Sequence, residues 1–189
     1  MARTDIMPGN VHTLHEACPT SAREALQLLP PFPIVLVTTR TNVLTVNQVA
    51  YFTFQPLRIG IGIAHARHSF GLLRDEGAFV INVPDATLVE AVRLCGRLSG
   101  RDGYKSARAG LHTMPAQAVQ SLCVAECGAH IECEVMQELP FADAEGGGRT
   151  WFVAEVVAAR RTPDHAGAAG LLCGRTEYRL PGEVIAPRP

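Results

Sequence analysis

The sequence predicts a mainly β protein, built as an antiparallel barrel with short added helices. About six short runs rich in β-branched and apolar residues are separated by turns that contain glycine or proline. Only short helical segments lie between these runs, whereas a doubly wound parallel sheet needs a longer helix after most strands. No Gly-x-Gly-x-x-Gly follows a first strand and no P-loop is present, so the sequence lacks the signatures of two common nucleotide-binding folds.

The predicted strands differ in regularity. The run at residues 34–39 is short, apolar and β-branched, which is typical of a buried strand. The next strand, at residues 43–52, places Thr45 and Asn47 on the face opposite Leu44 and Val46. Because buried polar groups need hydrogen-bond partners, a bound polar ligand is one way to satisfy that face. The remaining strands are predicted at residues 57–63, 78–84, 129–135 and 150–157.

Short helices are predicted at residues 21–29, 69–74 and 88–94. Ser21 and Glu24 have the spacing of a capping box, which would begin the first helix. Gly77 follows the second helix, and Asp85 or Thr87 precedes the third as a candidate N-cap. We expect a single domain over residues 1–189, with its core at about residues 30–160 and the N-terminal helix and C-terminal tail as extensions.

Gly60 and Gly62 lie on one face of the predicted third strand. Glycine weakens a strand, so two glycines at period 2 indicate that something approaches that face closely. A flat ring system and the close packing of a helix are equally good interpretations at this point.

Composition and charge restrict the class of protein. The chain has 189 residues, of which 47% are hydrophobic and 19% are charged. This is enough apolar residues to form a hydrophobic core. Its net charge of -1 argues against a nucleic-acid-binding protein, which normally carries a basic surplus. No run approaches the roughly 18 apolar residues of a membrane span, and the N-terminus has no apolar signal-peptide core. We therefore expect a cytoplasmic protein without membrane or nucleic-acid partners.

The six cysteines are expected to be reduced thiols. Cys127, His130 and Cys133 suggest a metal site, but their spacing matches no common zinc pattern. On a strand, His130 and Cys133 would also point to opposite faces. We therefore predict no metal site, and we expect Cys95, Cys127 and Cys133 to be small buried apolar residues.

Several segments, taken in order, carry a resemblance to a known family. They are Pro33-Ile-Val-Leu-Val-Thr-Thr39, Asn42-Val-Leu-Thr-Val-Asn47, Phe79-Val-Ile-Asn-Val-Pro84, Cys95-Gly-Arg-Leu-Ser-Gly-Arg101, and Glu126-Cys127 with Ile131-Glu-Cys133. Together they resemble the flavin reductase-like family of FMN-binding split barrels, which includes flavoredoxin. The resemblance covers roughly residues 33–157.

The resemblance implies a six-stranded antiparallel Greek-key split barrel with short added helices. It also implies a homodimer that holds FMN non-covalently near the dimer interface. The chain departs from the family pattern in two places. Residues 53–57 read Thr-Phe-Gln-Pro-Leu where Ser-x-x-Pro-Pro is usual. Residues 103–106 read Gly-Tyr-Lys-Ser where Asp-Lys-Phe is usual, so the lysine is kept but the acid and the aromatic residue beside it are not.

The resemblance further implies which residues hold the flavin. A phosphate would suit the strand-to-helix junction at residues 67–69, where free N–H groups and the helix dipole favour an anion. The alternative is a plain N-cap serine beside a solvated Arg-His pair. A second basic group follows at residues 99–105, and polar residues of the first two strands would contact the edge of the flavin ring. The candidate cofactor-binding residues are Thr39, Thr45, Val46, Asn47, Gln48, Arg67, His68, Ser69, Ser99, Gly100, Arg101 and Lys105.

The predicted function is that of an FMN-binding flavoprotein, an NAD(P)H-dependent flavin reductase that transfers hydride from NADH or NADPH to FMN. Its partner would be an oxygenase or another redox protein. Two alternatives remain: an electron carrier like flavoredoxin without nicotinamide activity, and a non-catalytic flavin- or ligand-binding barrel. No general acid or base is predicted, because the cofactor performs the chemical step and the protein supplies position and electrostatics.

Overall fold

The structure is a computed structural model, which describes Ser21 and residues 28–143, 147–163, 170–174 and 176–182. The chain divides into two compact units, Met1–Pro30 and Pro31–Pro189. The helix predicted at residues 21–29 lies largely outside the described residues. The prediction of one domain with a core at residues 30–160 stays a prediction.

The described residues form short strands, two long strands and three α-helices. The helices are α1 (His68–Glu76), α2 (Val89–Arg97) and α3 (Lys105–Arg108). Turns of 3-10 helix cover Ala86–Leu88 and Gly100–Asp102. The strands are β1 (Phe32–Pro33), β2 (Val35–Thr38), β3 (Val43–Val46), β4 (Val49–Phe54), β5 (Leu57–Ala64), β6 (Ala78–Val83), β7 (Thr113–Pro115), β8 (Leu122–Val124), β9 (Ala129–Ala142), β10 (Gly148–Arg161), β11 (Leu172–Cys173) and β12 (Tyr178–Arg179).

The main sheet has seven strands in the order β3-β2-β6-β9-β10-β5-β4, and all its pairs are antiparallel. It curls into a split barrel, so the predicted fold class is confirmed. The strand count is seven rather than six, because the single strand predicted at residues 43–52 is broken at Asn47 and Gln48. Its two halves, β3 and β4, form the opposite edges of the sheet, and these two residues carry the chain across the barrel opening.

The inner face of the curled sheet holds the main core. Phe79 and Phe152 are fully buried there, together with Val37 and Ile61 from neighbouring strands. Leu73 of α1 closes one end of the same cluster. Burying each such side chain contributes about 1.5–3 kcal/mol, so the alternation along these strands fixes which face turns inward.

Helix α2 packs on the other side of β2 and β3. Its buried residues Ala91, Val92 and Cys95 join a second apolar cluster with Leu36 and Val43. The Thr45 hydroxyl donates to the Val92 carbonyl oxygen at 2.6 Å. These contacts bring the end of α2 and the segment that follows it close to β3, where the candidate site lies.

The β7–β8 hairpin is held to the outer face of the sheet by a buried polar cluster. The Glu132 carboxylate accepts hydrogen bonds from the backbone N–H groups of Gln117, Ala118 and Val119. The Asn82 amide oxygen accepts from Val124 N at 2.8 Å and lies 2.9 Å from His130 Nδ1. Because that amide oxygen is an acceptor, Nδ1 carries the proton of His130.

His130 and Cys133 lie in different environments, as the strand periodicity predicted. His130 belongs to the outer polar cluster, whereas Cys133 belongs to the inner apolar core. In the described part of the chain, no group of three or more His, Cys, Asp or Glu side chains is placed to hold a metal ion.

The face at Gly60 and Gly62 is filled by side chains of neighbouring strands rather than by a helix. A Cβ at Gly60 would collide with the Phe52 ring and approach Trp151 to 3.1 Å. The Phe52 and Trp151 rings meet edge to face, with centroids 5.9 Å apart. Gln48 covers Gly62 in the same way. The glycines therefore make room for the protein's own aromatic and amide groups.

Candidate functional site

A cleft of about 440 Å³ opens between β3, the end of β5, the start of α1 and the segment after α2. The end of β5 and the start of α1 follow each other in the chain, and they meet β3 and the segment after α2 because β3 and β5 come from opposite halves of the split sheet. The lining residues are 44–47, 62–64, 66–69 and 95–101, together with Lys105 and Arg149.

Helix α1 begins at the cleft without a protein group to cap it. Arg67 occupies the N-cap position, but its side chain makes no capping hydrogen bond, and the first turn contains no acidic residue. The unpaired N–H groups of that turn and the helix dipole leave positive potential at this point. The other end of α1 is closed by Gly77 at φ 64°, as predicted.

Ser69 is held by a buried hydrogen bond to Asn42. Both side chains are buried, and Asn42 Nδ2 donates to Ser69 Oγ at 2.7 Å. Since Ser69 Oγ accepts this bond, its own proton is left to point elsewhere, and the residue lines the cleft. Gly100 has no side chain at this point because a Cβ would lie 2.7 Å from Asn42 Oδ1 and 2.7 Å from His68 Cδ2.

Lys105 is a buried cation at the base of the cleft. Its residue is only 4% exposed, and Nζ donates to the Cys95 carbonyl oxygen at 3.1 Å. Burial lowers the pKa of Lys105, and the nearby charge of Arg67 lowers that pKa further against an opposing effect of Cys95. A lysine ammonium has three N–H donors, and the Cys95 carbonyl engages one of them.

The cleft concentrates positive charge. Arg67, Arg97, Arg101, Lys105 and Arg149 line it, and its described lining contains no Asp or Glu. None of these five side chains forms an ion pair with a carboxylate that the structure describes, a set that leaves out the Asp102 side chain. Arginines elsewhere, such as Arg58 and Arg93, do pair with carboxylates. Unpaired cations gathered in one cleft favour an anionic ligand.

Most of the predicted cofactor-binding residues lie along this cleft. Thr45, Val46, Asn47, Arg67, His68, Ser69, Ser99, Gly100, Arg101 and Lys105 are all part of its lining. Some of their polar groups also have local partners. Ser99 Oγ caps the following turn by accepting from Arg101 N at 3.2 Å, and the Thr45 proton is engaged by Val92.

Thr39 and Gln48, which were also predicted to bind the cofactor, do not line the cleft. Thr39 is fully buried, and its hydroxyl oxygen accepts from Asn42 N at 3.3 Å, so it stabilises the turn between β2 and β3. Gln48 Oε1 is buried against Gly62 and has no hydrogen-bond partner among the described residues. The position of Gln48 follows from the break after β3, which the sequence pattern did not reveal.

The sequence interpretation missed Arg97, Arg149 and Asn42. Arg97 lies within the Cys-Gly-x-x-Ser-Gly-Arg motif, so its position was a usable signal. Asn42 opens the Asn-x-x-Thr motif, and its contact with Ser69 explains why an amide is useful there. Arg149 Nη1 donates to Gly62 O at 3.3 Å. Only the pairing of β10 with β5 brings it to the cleft, and no local pattern indicates that pairing.

Cys95, Cys127 and Cys133 are buried, as predicted, whereas Cys173 is partly exposed. Burial raises the pKa of Cys95 to about 11 and that of Cys133 to about 12, and it raises the pKa of Cys127 as well. These thiols therefore stay protonated near neutral pH, although Cys95 lines the cleft. Cys18 lies outside the described residues.

Comparison with known proteins supports this description. A model of the flavin reductase like domain matches residues 29–180. An uncharacterized protein of Archaeoglobus fulgidus is 32% identical over 134 residues, which cover 71% of this chain and 73% of the relative. Flavoredoxin from Methanosarcina acetivorans has the same fold, with a TM-score of 0.80 at 19% identity, covering 91% of this chain and 95% of its own. Nitrilotriacetate monooxygenase component B from Bacillus cereus gives a TM-score of 0.78 at 14% identity, covering 98% and 100%.

The curled antiparallel sheet with its cleft is the architecture of split-barrel flavin-binding proteins. The chain belongs to the flavin reductase-like domain family. Membership of this family makes it a flavin-related oxidoreductase. No helix in the described part of the chain is long and apolar enough to cross a membrane.

Proposed function

We propose that the protein is an FMN-dependent oxidoreductase that uses NADH or NADPH as hydride donor. The cleft between β3 and the start of α1 would hold FMN non-covalently. When bound, FMN would supply the hydride-accepting chemistry. The protein's own residues would fix the position of the cofactor and surround it with positive charge.

One observation carries this proposal, namely the unpaired Lys105 beside Arg67. Two cations held close together repel each other, and this arrangement is unfavourable unless an anion neutralises them. A phosphate dianion would use the free N–H groups of Lys105 and offset the repulsion from Arg67. The Ser69 hydroxyl and the uncapped start of α1 supply further donors at the same place. The residues present therefore fit the phosphate of FMN.

The other walls of the cleft would contact the flavin ring and the ribityl chain that joins it to the phosphate. Polar and backbone groups of residues 44–47 would supply hydrogen bonds to the ring edge. On the opposite wall, the small side chains of Ala64 and Ala66 leave room for the flavin ring. Such a site orients the ring and limits the access of water, while a nicotinamide would approach from the open side of the cleft.

We also propose that the protein forms a homodimer through the outer side of β4. In the described sheet β4 is an edge strand, and Tyr51, Phe52, Phe54 and Leu57 at this edge are exposed. An exposed apolar edge strand promotes association unless a partner covers it. A second copy would bury these rings at β4, which comes directly after the cleft-lining strand β3 in the chain.

The partner that receives the electrons is proposed to be an oxygenase or another redox protein. The likeness to a monooxygenase component in Bacillus cereus supports an oxygenase, and the likeness to flavoredoxin supports a redox protein. Flavin retention together with oxidation of NADH or NADPH would support the reductase function. Flavin retention without such oxidation would support the electron carrier.

The decisive experiment compares FMN with riboflavin, which lacks the phosphate. Purified protein is titrated with each flavin, and binding is followed by quenching of flavin fluorescence. We expect FMN to bind at least tenfold more tightly than riboflavin. Lys105→Met should remove most of that difference and leave riboflavin affinity unchanged. Arg108→Met, on the same short helix but outside the cleft lining, is the matched control. Equal affinity of the wild type for both flavins would refute the phosphate site.

A further inference from the structure

We propose that Arg149 places its positive charge beside the flavin ring and stabilises the negative charge that the ring gains when it accepts hydride. Arg149 thereby raises the reduction potential of the bound flavin, while the phosphate is held at the other end of the cleft. This inference rests on the proposed function, because it names a residue that acts on the flavin in the same cleft.

The contacts along β3 and β5 define two ends of the cleft. At one end, Ser69 of α1 accepts a hydrogen bond from Asn42, which lies just before β3. At the other end, Gly62 N of β5 donates to Gln48 O, just after β3, at 2.9 Å. A strand rises about 3.3 Å per residue, so these two contacts lie up to about 20 Å apart along the cleft.

The groups proposed to hold the phosphate belong to the end at Ser69. Lys105 Nζ and Arg67 Nη1 both donate to backbone carbonyl oxygens in the last turns of α2. The segment that follows α2 reaches this end, because Gly100 packs so closely that a Cβ there would lie 2.7 Å from Asn42 Oδ1. A phosphate held by these groups directs the ribityl chain and the ring toward Gly62.

Arg149 belongs to the end at Gly62. It pairs with Ala64 between β10 and β5, and its Nη1 donates to Gly62 O at 3.3 Å. Since Gly62 N bonds to Gln48 O, the guanidinium reaches across β5 to the point where the chain passes from β3 to β4. The bond to Gly62 uses one of the five N–H donors of a guanidinium, so Arg149 can contact a ligand in the cleft while this bond holds it in place.

The charge that develops on the flavin ring explains what a cation does at this end. Hydride leaves C4 of the nicotinamide with the bonding electron pair and forms a bond to N5 of the flavin, so the nicotinamide is oxidised and the flavin is reduced. The reduced ring then carries one negative charge, which is spread over its pyrimidine part. A guanidinium beside the ring stabilises this anion more than the neutral oxidised ring, and it therefore favours reduction.

The first test measures the reduction potential of FMN bound to the full chain, by equilibration with a reference dye. Arg149→Gln should weaken the binding of reduced FMN about tenfold relative to oxidised FMN, which equals a midpoint potential about 30 mV lower for a two-electron couple. Arg149→Lys keeps the charge and should restore most of the potential. Arg58→Gln is the matched control, because Arg58 lies on the same face of β5 as Gly62 but outside the cleft lining, and it should leave the potential unchanged.

The second test separates the ring from the phosphate by repeating these measurements with riboflavin. Arg149→Gln should lower the potential of bound riboflavin by the same amount and keep the preference of the oxidised protein for FMN over riboflavin within about twofold of the wild type. Lys105→Met should show the opposite pattern.

Two results would overturn the inference. An unchanged potential in Arg149→Gln would mean that its charge does not act on the ring, and loss of the preference for FMN in this variant would mean that Arg149 serves the phosphate. Failure of the wild type to bind either flavin would refute the proposed function, and this inference with it. Equal affinity of the wild type for both flavins would refute the phosphate site alone.

Discussion

At the scale of single residues, the base of the cleft depends on the direction of one hydrogen bond. Asn42 donates to Ser69, so the serine proton is available to a ligand in the cleft. An amide can hold the hydroxyl in this way because its NH₂ group is a donor. Gly100 leaves the room in which Asn42 and His68 pack, so three parts of the chain cooperate to orient one proton.

Replacing Asn42 tests this orientation. In Asn42→Asp the carboxylate would accept the Ser69 proton and place a negative charge beside the phosphate position. We expect the affinity for FMN to fall by roughly a factor of 100 and the affinity for riboflavin to change less than twofold. Fluorescence titration with both flavins measures the difference.

The neutral variant Asn42→Ala separates orientation from charge. It frees the Ser69 hydroxyl without introducing a carboxylate, so we expect a loss of roughly tenfold for FMN alone. A similar loss for FMN and riboflavin in both variants would mean that Asn42 only supports the local fold.

At the scale of elements, the β7–β8 hairpin is attached through Glu132. The carboxylate is buried and receives three backbone N–H bonds. Burial by itself would raise the pKa of Glu132, but the N–H donors at Ala118, Gln117 and Val119 outweigh it, and the net effect is a lowered pKa. The hairpin is therefore held most strongly when Glu132 is ionised.

Glu132→Gln should destabilise the protein by about 2–3 kcal/mol at pH 7, since a neutral amide replaces the ionised acceptor. The folded pKa of Glu132 lies below its ordinary value of 4.5. The stabilisation is therefore complete above about pH 4.5 and is lost as the pH falls through the folded pKa. Urea unfolding of both proteins from pH 7 to pH 3.5 should show their stabilities converging at the acidic end.

Glu134→Gln is the control for this measurement, because Glu134 lies two residues away on β9 and is exposed. It should change stability by less than about 0.5 kcal/mol at any of these pH values. A constant difference between wild type and Glu132→Gln down to pH 3.5 would show that the carboxylate charge does not hold the hairpin.

At the scale of the whole molecule, the outer edge at β4 predicts association of two copies. Tyr51 and Phe54 are 63% and 71% exposed, and their ring centroids lie 5.0 Å apart. We expect the wild type to sediment as a dimer. The double variant Tyr51→Asp/Phe54→Asp should raise the dissociation constant of the dimer at least tenfold, because burying two carboxylates is unfavourable. Analytical ultracentrifugation over a range of concentrations measures this constant.

Met114→Asp supplies the comparison, since Met114 is an exposed apolar residue on the separate β7–β8 hairpin. It should leave the sedimentation behaviour unchanged. A monomeric wild type, or an equal effect of both changes, would exclude β4 as the contact between copies.

The sequence alone predicted the fold class, which the structure confirms, and most of its candidate cofactor-binding residues line the cleft. Alternating apolar residues and turn-forming glycines predicted β2, β5, β6, β9 and β10, because these patterns reflect local geometry and burial. The motifs around residues 67–69 and 95–105 predicted where positive charge and hydroxyl groups would gather. The strand predictions agree with the structure because each depends on a short stretch of chain, whereas flavin binding by the two motifs stays a prediction.

Only the tertiary structure decided which of these stretches meet. In the structure, the predicted strand is interrupted at Asn47 and Gln48. Thr39 and Gln48 lie outside the cleft lining, and Arg149 lies within it. The structure also showed that Asn42 donates a hydrogen bond to Ser69 and that Arg93 pairs with Glu90. Such facts depend on sheet order and on contacts between distant residues. Local propensity contains no information about either of them.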